Sequence, residues 1–94
     1  MNEKLLEKKL REEVKKLGGL ALKFSSSTYT GMPDRIVLMP KGKAYFVELK
    51  SPGKTQTPIQ YQAAAALYKR DFEVSLIDDQ DKLSKFLDKI YDAL

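Results

Sequence analysis

The chain has 94 residues, which is the size of one small domain with no room for a second hydrophobic core. We therefore expect residues 1–94 to form a single domain. Hydrophobic residues make up 43% of the chain and charged residues 32%, a composition typical of a globular protein. The sequence has no cysteine and no histidine, which excludes zinc fingers, disulfide scaffolds, thiol nucleophiles and histidine-based acid–base catalysis. Any catalysis must use carboxylates, amines, hydroxyls or a metal ion bound through oxygen.

The formal net charge is +4, from 17 basic and 13 acidic residues, and the basic excess is unevenly distributed. Residues 1–54 hold 12 basic and 6 acidic side chains, whereas residues 55–94 hold 5 and 7. This distribution is compatible with a polyanionic partner, although a helix with a solvated basic face would give the same counts. No apolar run approaches the roughly 20 residues that a membrane helix needs, and we find no signal-peptide pattern. We therefore expect a cytoplasmic protein with no membrane partner.

The first predicted element is an amphipathic helix over residues 3–17. Four apolar residues recur at intervals of four and three, and so share one helix face: Leu6, Leu10, Val14 and Leu17. Gly18 and Gly19 end the helix, because glycine readily adopts the left-handed conformation found at helix C-termini. Residues 20–25 alternate as a strand, and a Ser/Thr-rich loop covers residues 26–31.

Two further strands are predicted over residues 35–39 and 43–50. Pro40-Lys41-Gly42 between them has the composition of a tight turn, so the two strands should form an antiparallel hairpin. Thr57-Pro58 then starts a helix, with threonine as the N-cap and proline at the first helical position. The last predicted elements are this helix over 58–70, a strand over 72–77 and an amphipathic helix over 79–93.

The predicted order is α-β-β-β-α-β-α, which indicates an α/β fold with a four-stranded mixed sheet flanked by helices. The two hairpin strands are apolar on both faces. Such strands are usually covered on both sides. We therefore expect a helix/sheet/helix sandwich, with the C-terminal helix as the last element.

Charged residues interrupt the apolar hairpin at one end. Asp34 opens the first hairpin strand, and Glu48 and Lys50 share one face at the end of the second, because side chains alternate along a strand. A turn over residues 40–42 would place Asp34 directly opposite Glu48. A turn over residues 41–43 would place Asp34 opposite Lys50, and a two-residue turn would put the carboxylates on opposite faces. The proline in the turn favours the first register, since it cannot donate to the ladder.

Opposed carboxylates on neighbouring strands repel each other, so a compensating charge is needed. The neighbouring ammonium of Lys50 could compensate in part. A divalent cation such as Mg²⁺ would do so better, because hard cations bind carboxylate oxygens. The alternative interpretation is an ordinary salt-bridge cluster at the end of a sheet.

Two helices also carry polar side chains close to their apolar faces. Gln60 shares its face with apolar residues three, four and seven positions further on, so an active site at the strand ends would supply its partners. A capping glutamine in the first helical turn is the alternative. On the first helix, Glu3 lies closer to the centre of the apolar stripe and Glu7 at its edge, so the periodicity leaves open which of them faces the sheet.

These residues resemble the signature of the VRR-NUC domain, a branch of the PD-(D/E)xK nuclease superfamily, over nearly the whole chain. The segments that carry the resemblance are Gly31-Met32-Pro33-Asp34-Arg35, Phe46-Val47-Glu48-Leu49-Lys50 and Gln60. The predicted element order agrees with the restriction-endonuclease-like αβββαβ core of that superfamily. The chain is similar to the small stand-alone members found in bacteria and phages.

The resemblance implies roles for individual residues. The catalytic side chains that it implies are Asp34, Glu48, Lys50 and Gln60. The ligands that it implies for Mg²⁺, which Mn²⁺ can replace, are Glu7, Asp34, Glu48 and the Leu49 backbone carbonyl. Glu7 is chosen over Glu3 because its segment aligns best with the first-helix glutamate of the family. The basic residues nearest the site are candidate contacts to DNA phosphates: Lys23, Arg35 and Lys54.

The function that the resemblance implies is metal-dependent hydrolysis of DNA phosphodiester bonds by a structure-selective endonuclease, without an organic cofactor. Members of this size are expected to act as homodimers on branched DNA, including four-way (Holliday) junctions. The C-terminal helix around Phe86, Ile90 and Tyr91 is a candidate dimer surface, and its packing inside its own domain is the alternative. Two other functions stay open: a non-catalytic DNA-binding or interaction module that retains the fold, and a nuclease that prefers flaps or duplex DNA.

Overall fold

The computed structural model describes all 94 residues, and its elements follow the predicted order. The helices are α1 (Glu3–Lys16), α2 (Pro58–Tyr68) and α3 (Gln80–Asp92), and the strands are β1 (Leu20–Lys23), β2 (Arg35–Met39), β3 (Lys43–Leu49) and β4 (Val74–Ile77). A tight turn over Pro40–Gly42, in which Lys41 has a φ of +68°, joins β2 to β3. The predicted element order is therefore confirmed, and no predicted boundary is more than two residues from the observed one.

The four strands form one sheet in the order β1-β2-β3-β4. The first two pairs are antiparallel, and β4 lies parallel to β3 because α2 crosses over between them. In the hairpin, Arg35 is opposite Val47 and Met39 is opposite Lys43. The turn therefore holds residues 40–42, as the first of the predicted registers requires. One further step along this ladder brings Asp34 opposite Glu48.

One face of the sheet packs against α1 and α3 and forms the main hydrophobic core. The apolar stripe of α1 is fully buried there, as its spacing predicts. The buried members of this core are Leu6, Leu10, Val14, Val37, Met39, Val47, Leu49, Ile77, Leu83, Phe86 and Ile90. This packing fixes the end of β3 against two helices, and so fixes the residues that follow it.

The other face of the sheet is covered over only half of its width. Over β3 and β4, Phe46 packs edge-to-face against Phe24 and Phe72, with 5.6 Å between ring centroids in each pair. Ala63 and Leu67 of α2 are also buried. Over β1 and β2 no helix is present, and three leucines remain exposed, which we call the open half-face: Leu20 (57%), Leu22 (44%) and Leu38 (39%). The prediction that helices cover both sides is therefore wrong for this half.

Helix α3 packs inside its own domain. Phe86 and Ile90 are almost completely buried in the core, and only Tyr91 of the three residues suggested for a dimer surface is exposed. The suggested surface on this helix is therefore wrong, and the alternative is confirmed. No helix of the fold is long and apolar enough to span a membrane.

Truncation of the α1 stripe should destabilise the protein. We expect Leu10→Ala to lower the free energy of unfolding by about 2–5 kcal/mol, because it leaves a cavity in the core. Leu5→Ala on the same helix is the matched control, since Leu5 is 46% exposed and should cost less than about 1 kcal/mol. Urea denaturation followed by circular dichroism measures both. Equal losses for the two variants would contradict the assignment of the core.

Candidate active site

Two carboxylates meet at the end of the hairpin, on the face of the sheet that α2 partly covers. Asp34 directly precedes β2, and the backbone N–H of Leu49 donates a hydrogen bond of 3.2 Å to its Oδ1 atom. Glu48 is the second-last residue of β3 and is only 5% exposed. About a third of the Asp34 side chain is exposed. The side chain of Leu49 points to the opposite face and is buried in the core. The core packing of β3 therefore holds the two acids together.

Both carboxylates ionise less readily than an exposed acid. Burial is the largest cause of the raised pKa of Glu48, which reaches about 7, and the negative charge of Asp34 raises it further. Burial also raises the pKa of Asp34, while the Leu49 N–H and the Arg35 guanidinium act in the opposite direction. A pair of like charges, one buried and one half-buried, costs folding free energy. Such a pair is the arrangement expected where a cation is to be bound.

Lys50 is the nearest cation to Glu48. Its Nζ atom lies 3.8 Å from Glu48 Oε2, and only a fifth of its side chain is exposed. Its backbone N–H donates to the carbonyl of Ile77 at 3.1 Å, which extends the β3–β4 ladder by one residue. The lysine is therefore held beside the carboxylate pair by the sheet.

Arg35 binds the backbone that carries Asp34. Its Nη1 atom donates to the Asp34 carbonyl at 2.9 Å and lies 3.8 Å from the Asp34 carboxylate. The side chain is only 15% exposed, and its Nε atom is buried without a hydrogen-bond partner. The structure therefore places Arg35 where it orients Asp34, with little of its guanidinium free to reach a phosphate.

The loop before Asp34 lies against the start of α2. Gly31 has a φ of +89°, and a Cβ atom at this position would lie 2.6 Å from the carbonyl oxygen of Ile59. At the same end of α2, the Thr57 hydroxyl accepts from the Gln60 N–H and the Gln60 Oε1 accepts from the Thr57 N–H, so that the two residues form a capping box. Gln60 thus caps the helix beside the loop that carries Asp34, and its amide Nε2 stays available to a further partner.

Of the two glutamates considered on α1, Glu3 is the one whose charge acts on the carboxylate pair. The negative charge of Glu3 raises the pKa of both Asp34 and Glu48. Glu7 instead forms an ion pair with Arg11, with 3.0 Å between Glu7 Oε1 and Arg11 Nε. The structure therefore favours Glu3 over Glu7 as the acid that the first helix brings to the site.

Lys23 and Lys54 are exposed and have no ion-pair partner. Lys23 is opposite Arg35 in the β1–β2 ladder, which puts it at the same end of the sheet as the site. Lys54 lies in the loop that follows Lys50. Both are free to contact an anion near the carboxylate pair.

Asp78 is a structural acid that the sequence analysis did not identify. It directly follows β4, is only 8% exposed and pairs with Lys82 at 2.7 Å. Its other carboxylate oxygen accepts from the Gly53 N–H at 3.4 Å, and so ties down the loop after Lys50. These bonds lower the pKa of Asp78. The sequence signal that could have identified it is its position directly after the apolar strand Val74–Ile77.

The donor set fits a hard divalent cation. Asp34, Glu48 and the Leu49 carbonyl offer only oxygen atoms, which suit Mg²⁺ or Mn²⁺. The structure has no group of three or more His, Cys, Asp or Glu side chains at metal-binding spacing, so the carboxylate pair itself is the candidate centre. The raised pKa of Glu48 fits the same interpretation, because a cation would remove the repulsion between the two acids.

This chain is similar to known proteins in sequence and in fold. Over 81 residues it is 44% identical to "Putative nuclease p44" of Acyrthosiphon pisum secondary endosymbiont phage 1, a match that covers 86% of this chain and 87% of the phage protein. A solved structure described as a VRR_NUC domain has a similar fold, with a TM-score of 0.84 and 29% sequence identity. That match covers 92% of this chain and 94% of the other. No family model matches the sequence.

The contact between Gly31 and α2 can be tested by a pair of alanine variants. We expect Gly31→Ala to be about 1–3 kcal/mol less stable than Gly53→Ala. Both glycines have a positive φ, but a Cβ atom at Gly53 would meet nothing within 4 Å. The difference therefore isolates the collision with Ile59 from the strain of the backbone. Thermal unfolding measures it, and equal stabilities would contradict the close approach.

Neutralisation of Glu48 should stabilise the protein at high pH when no divalent cation is present. The pKa of Glu48 is raised from 4.5 to about 7, so the folded state loses stability as the pH rises from about 4.5 to about 7, where the unfolded chain has released the proton that folded Glu48 still holds. At pH 8 in EDTA we expect Glu48→Gln to raise the free energy of unfolding by about 1–3 kcal/mol. At pH 5 the gain should be much smaller.

The control for this variant is Glu12→Gln, which removes an exposed charge from α1. Its effect on stability should be small at both pH values. Chemical denaturation at pH 5 and pH 8 measures the free energy of unfolding of the wild type and of both variants. If Glu48→Gln and the wild type have equal free energies of unfolding at both pH values, the surroundings of Glu48 do not disfavour its ionised form.

Proposed function

This chain belongs to the VRR-NUC family of nucleases, and on that premise we propose that it is a metal-dependent DNA endonuclease. The observation that carries the proposal is the buried Glu48 opposite the half-buried Asp34, with Lys50 beside them. Two acids and a lysine in this arrangement can bind a cation and position a phosphodiester next to it. A non-catalytic module would gain nothing from the cost of burying two like charges.

The ion, Mg²⁺ or Mn²⁺, would be held by the carboxylates of Asp34 and Glu48 and the Leu49 carbonyl. When bound, it supplies Lewis-acid polarisation of the phosphate and acidifies a water molecule. Glu3, whose charge already acts on both acids, is the first-helix acid that we propose to contact it through water. This assignment replaces Glu7, which is engaged by Arg11.

The side chains around the pair have separate tasks in the proposed reaction. The Lys50 ammonium donates to the attacking water or to the phosphate oxygen on which negative charge develops. The free amide of Gln60 positions Lys50 or that water, while Arg35 keeps Asp34 in place through its bond to the Asp34 carbonyl. Lys23 and Lys54 contact backbone phosphates and do not read base sequence.

The substrate that we propose is branched DNA, including four-way junctions, cut by a homodimer in the cytoplasm. One protomer carries one site and makes one cut, whereas resolution of a junction needs two. A two-fold symmetric dimer suits a two-fold symmetric substrate. Residues 1–94 form the one nuclease domain of each protomer in this proposal.

We place the dimer contact on the open half-face of the sheet (Leu20, Leu22 and Leu38). This surface has no charged side chain among the residues that β1 and β2 turn outwards, so it does not suit DNA. Exposed apolar surface of this kind is typical of contacts between proteins. A second copy would bring the same leucines, and a surface that pairs with itself is the requirement of a two-fold dimer.

Cleavage should depend on the metal and on the proposed residues. We expect the wild type to cut a synthetic junction with Mg²⁺ or Mn²⁺ and not with EDTA. Asp34→Asn and Lys50→Gln should each lose at least about 100-fold in rate, which is the size of effect typical for removal of one electrostatic contact to a transition state. Lys85→Gln on α3 is the control with normal activity, because Lys85 is exposed and lies outside the site.

The same assay should use junction, flap, duplex and single-stranded DNA in parallel. A preference for the junction supports the proposed substrate, and a preference for flaps or duplex DNA replaces it. Binding of DNA without cleavage of any substrate would favour the non-catalytic module. Activity of Asp34→Asn and Lys50→Gln equal to that of the wild type would show that the site is wrong.

Replacement of one leucine on the open half-face should dissociate the dimer. We expect sedimentation velocity to show a dimer for the wild type and a monomer for Leu22→Glu, because burial of an unpaired carboxylate at the contact is unfavourable. Leu5→Glu on α1 is the matched control, since Leu5 is exposed to a similar extent. The proposed surface is wrong if Leu22→Glu stays dimeric, or if the wild type is a monomer at every concentration.

A further inference from the structure

Helix α1 presents a stripe of cations to solvent. Four basic residues recur at intervals of four, three and four and so lie above one another on the helix, and we call them the α1 ridge: Lys4, Lys8, Arg11 and Lys15. All four side chains are exposed. Arg11 pairs with Glu7, but the three lysines have no acidic partner in the structure. These three ammonium groups are therefore free to contact an anion of another molecule.

The lysines of α3 are arranged differently. Each of the three forms an ion pair: Lys82 with Asp78 at 2.7 Å, Lys85 with Asp81 at 3.1 Å and Lys89 with Glu73 at 2.9 Å. The α3 side of the molecule therefore offers little net positive charge. A polyanion is attracted by cations that lack an acidic neighbour, so it is drawn to the α1 side.

The α1 ridge starts at the end of α1 that is nearer the carboxylate pair, because the other end of the helix leads into the start of β1, at the opposite end of the sheet. Lys4 follows Glu3, whose charge acts on both Asp34 and Glu48. From Lys4 to Lys15 the helix rises about 16 Å, at about 1.5 Å per residue. This length corresponds to roughly five base-pair steps of about 3.4 Å. Lys23 lies on the sheet face that α1 covers, at the same end of the sheet as the site, and adds a further free cation there.

We propose that the α1 ridge binds the phosphate backbone of one duplex arm that leads away from the cleaved bond, an inference that rests on the proposed DNA endonuclease function. Lysine side chains that contact phosphates do not read base identity, so this contact binds the duplex arm without sequence preference. Each lysine that meets a phosphate releases counterions from the DNA. The number of such contacts can therefore be counted from the dependence of affinity on salt.

The experiment compares two triple variants that remove the same net charge. The test variant is Lys4→Gln, Lys8→Gln and Lys15→Gln combined. The control combines Lys41→Gln, Lys69→Gln and Lys85→Gln, which removes three exposed cations outside the α1 ridge. Glutamine and lysine have similar helix propensities, so α1 should fold in both proteins, and circular dichroism checks that it does. Fluorescence anisotropy of a labelled 20-base-pair duplex in EDTA gives the affinity at several KCl concentrations.

We expect the slope of log affinity against log salt to become shallower by about 2 to 3 for the test variant, at about 0.9 per phosphate contact. The control should keep a slope close to that of the wild type. The proposal is overturned if the test variant keeps the wild-type slope, if both variants lose slope equally, or if the wild type does not bind the duplex. Cleavage with Mg²⁺ is measured separately on the wild type. Suppose that the wild type does not cleave DNA but the test variant has a shallower slope of log affinity against log salt. This result would refute the nuclease function and leave the α1 ridge as a DNA-binding surface.

Discussion

The candidate site depends on two carboxylates placed opposite each other at the end of a β-hairpin, where their mutual repulsion and burial both oppose folding. A fold keeps such a pair only if its surroundings hold the two acids in place. Here the backbone N–H of Leu49 binds Asp34, and the side chain of the same leucine is anchored in the main core. The hydrophobic packing of α1 and α3 against β3 is thus what brings Glu48 to Asp34. Burial of apolar side chains in the core on the other face of the sheet supplies the folding free energy that offsets the cost of this pair.

Three contacts outside the core complete this support, and each acts on the backbone that carries the reactive groups. Arg35 binds the carbonyl of Asp34, and Gly31 allows the preceding loop to touch the first turn of α2. Asp78 binds the loop that follows Lys50 through the N–H of Gly53. The site is therefore built from backbone held at three points, which is the kind of preorganisation that phosphoryl chemistry requires.

Much of this could be predicted from the sequence, because the relevant rules act over short distances. The periodicity of α1 identified its buried stripe, and the turn composition gave the hairpin register that pairs Asp34 with Glu48. The cover of the sheet could not be predicted, since the apolar strands β1 and β2 look the same whether a helix or a second molecule covers them. Glu3 could not be separated from Glu7, because both lie near the buried stripe and the action of the Glu3 charge on both carboxylates depends on the fold. The bond between Asp78 and the Gly53 N–H depends on a tertiary distance, and the position of this acid directly after an apolar strand was its one local signal.

The central claim is that Asp34 and Glu48 together form a binding site for one hard cation. The most direct test is a crystal of the wild-type protein soaked in Mn²⁺, with an anomalous difference map collected near the manganese absorption edge. A single peak within about 2.5 Å of a carboxylate oxygen from each residue is the predicted result. Ordered carboxylates with no anomalous density between them, at millimolar Mn²⁺ and neutral pH, would contradict it.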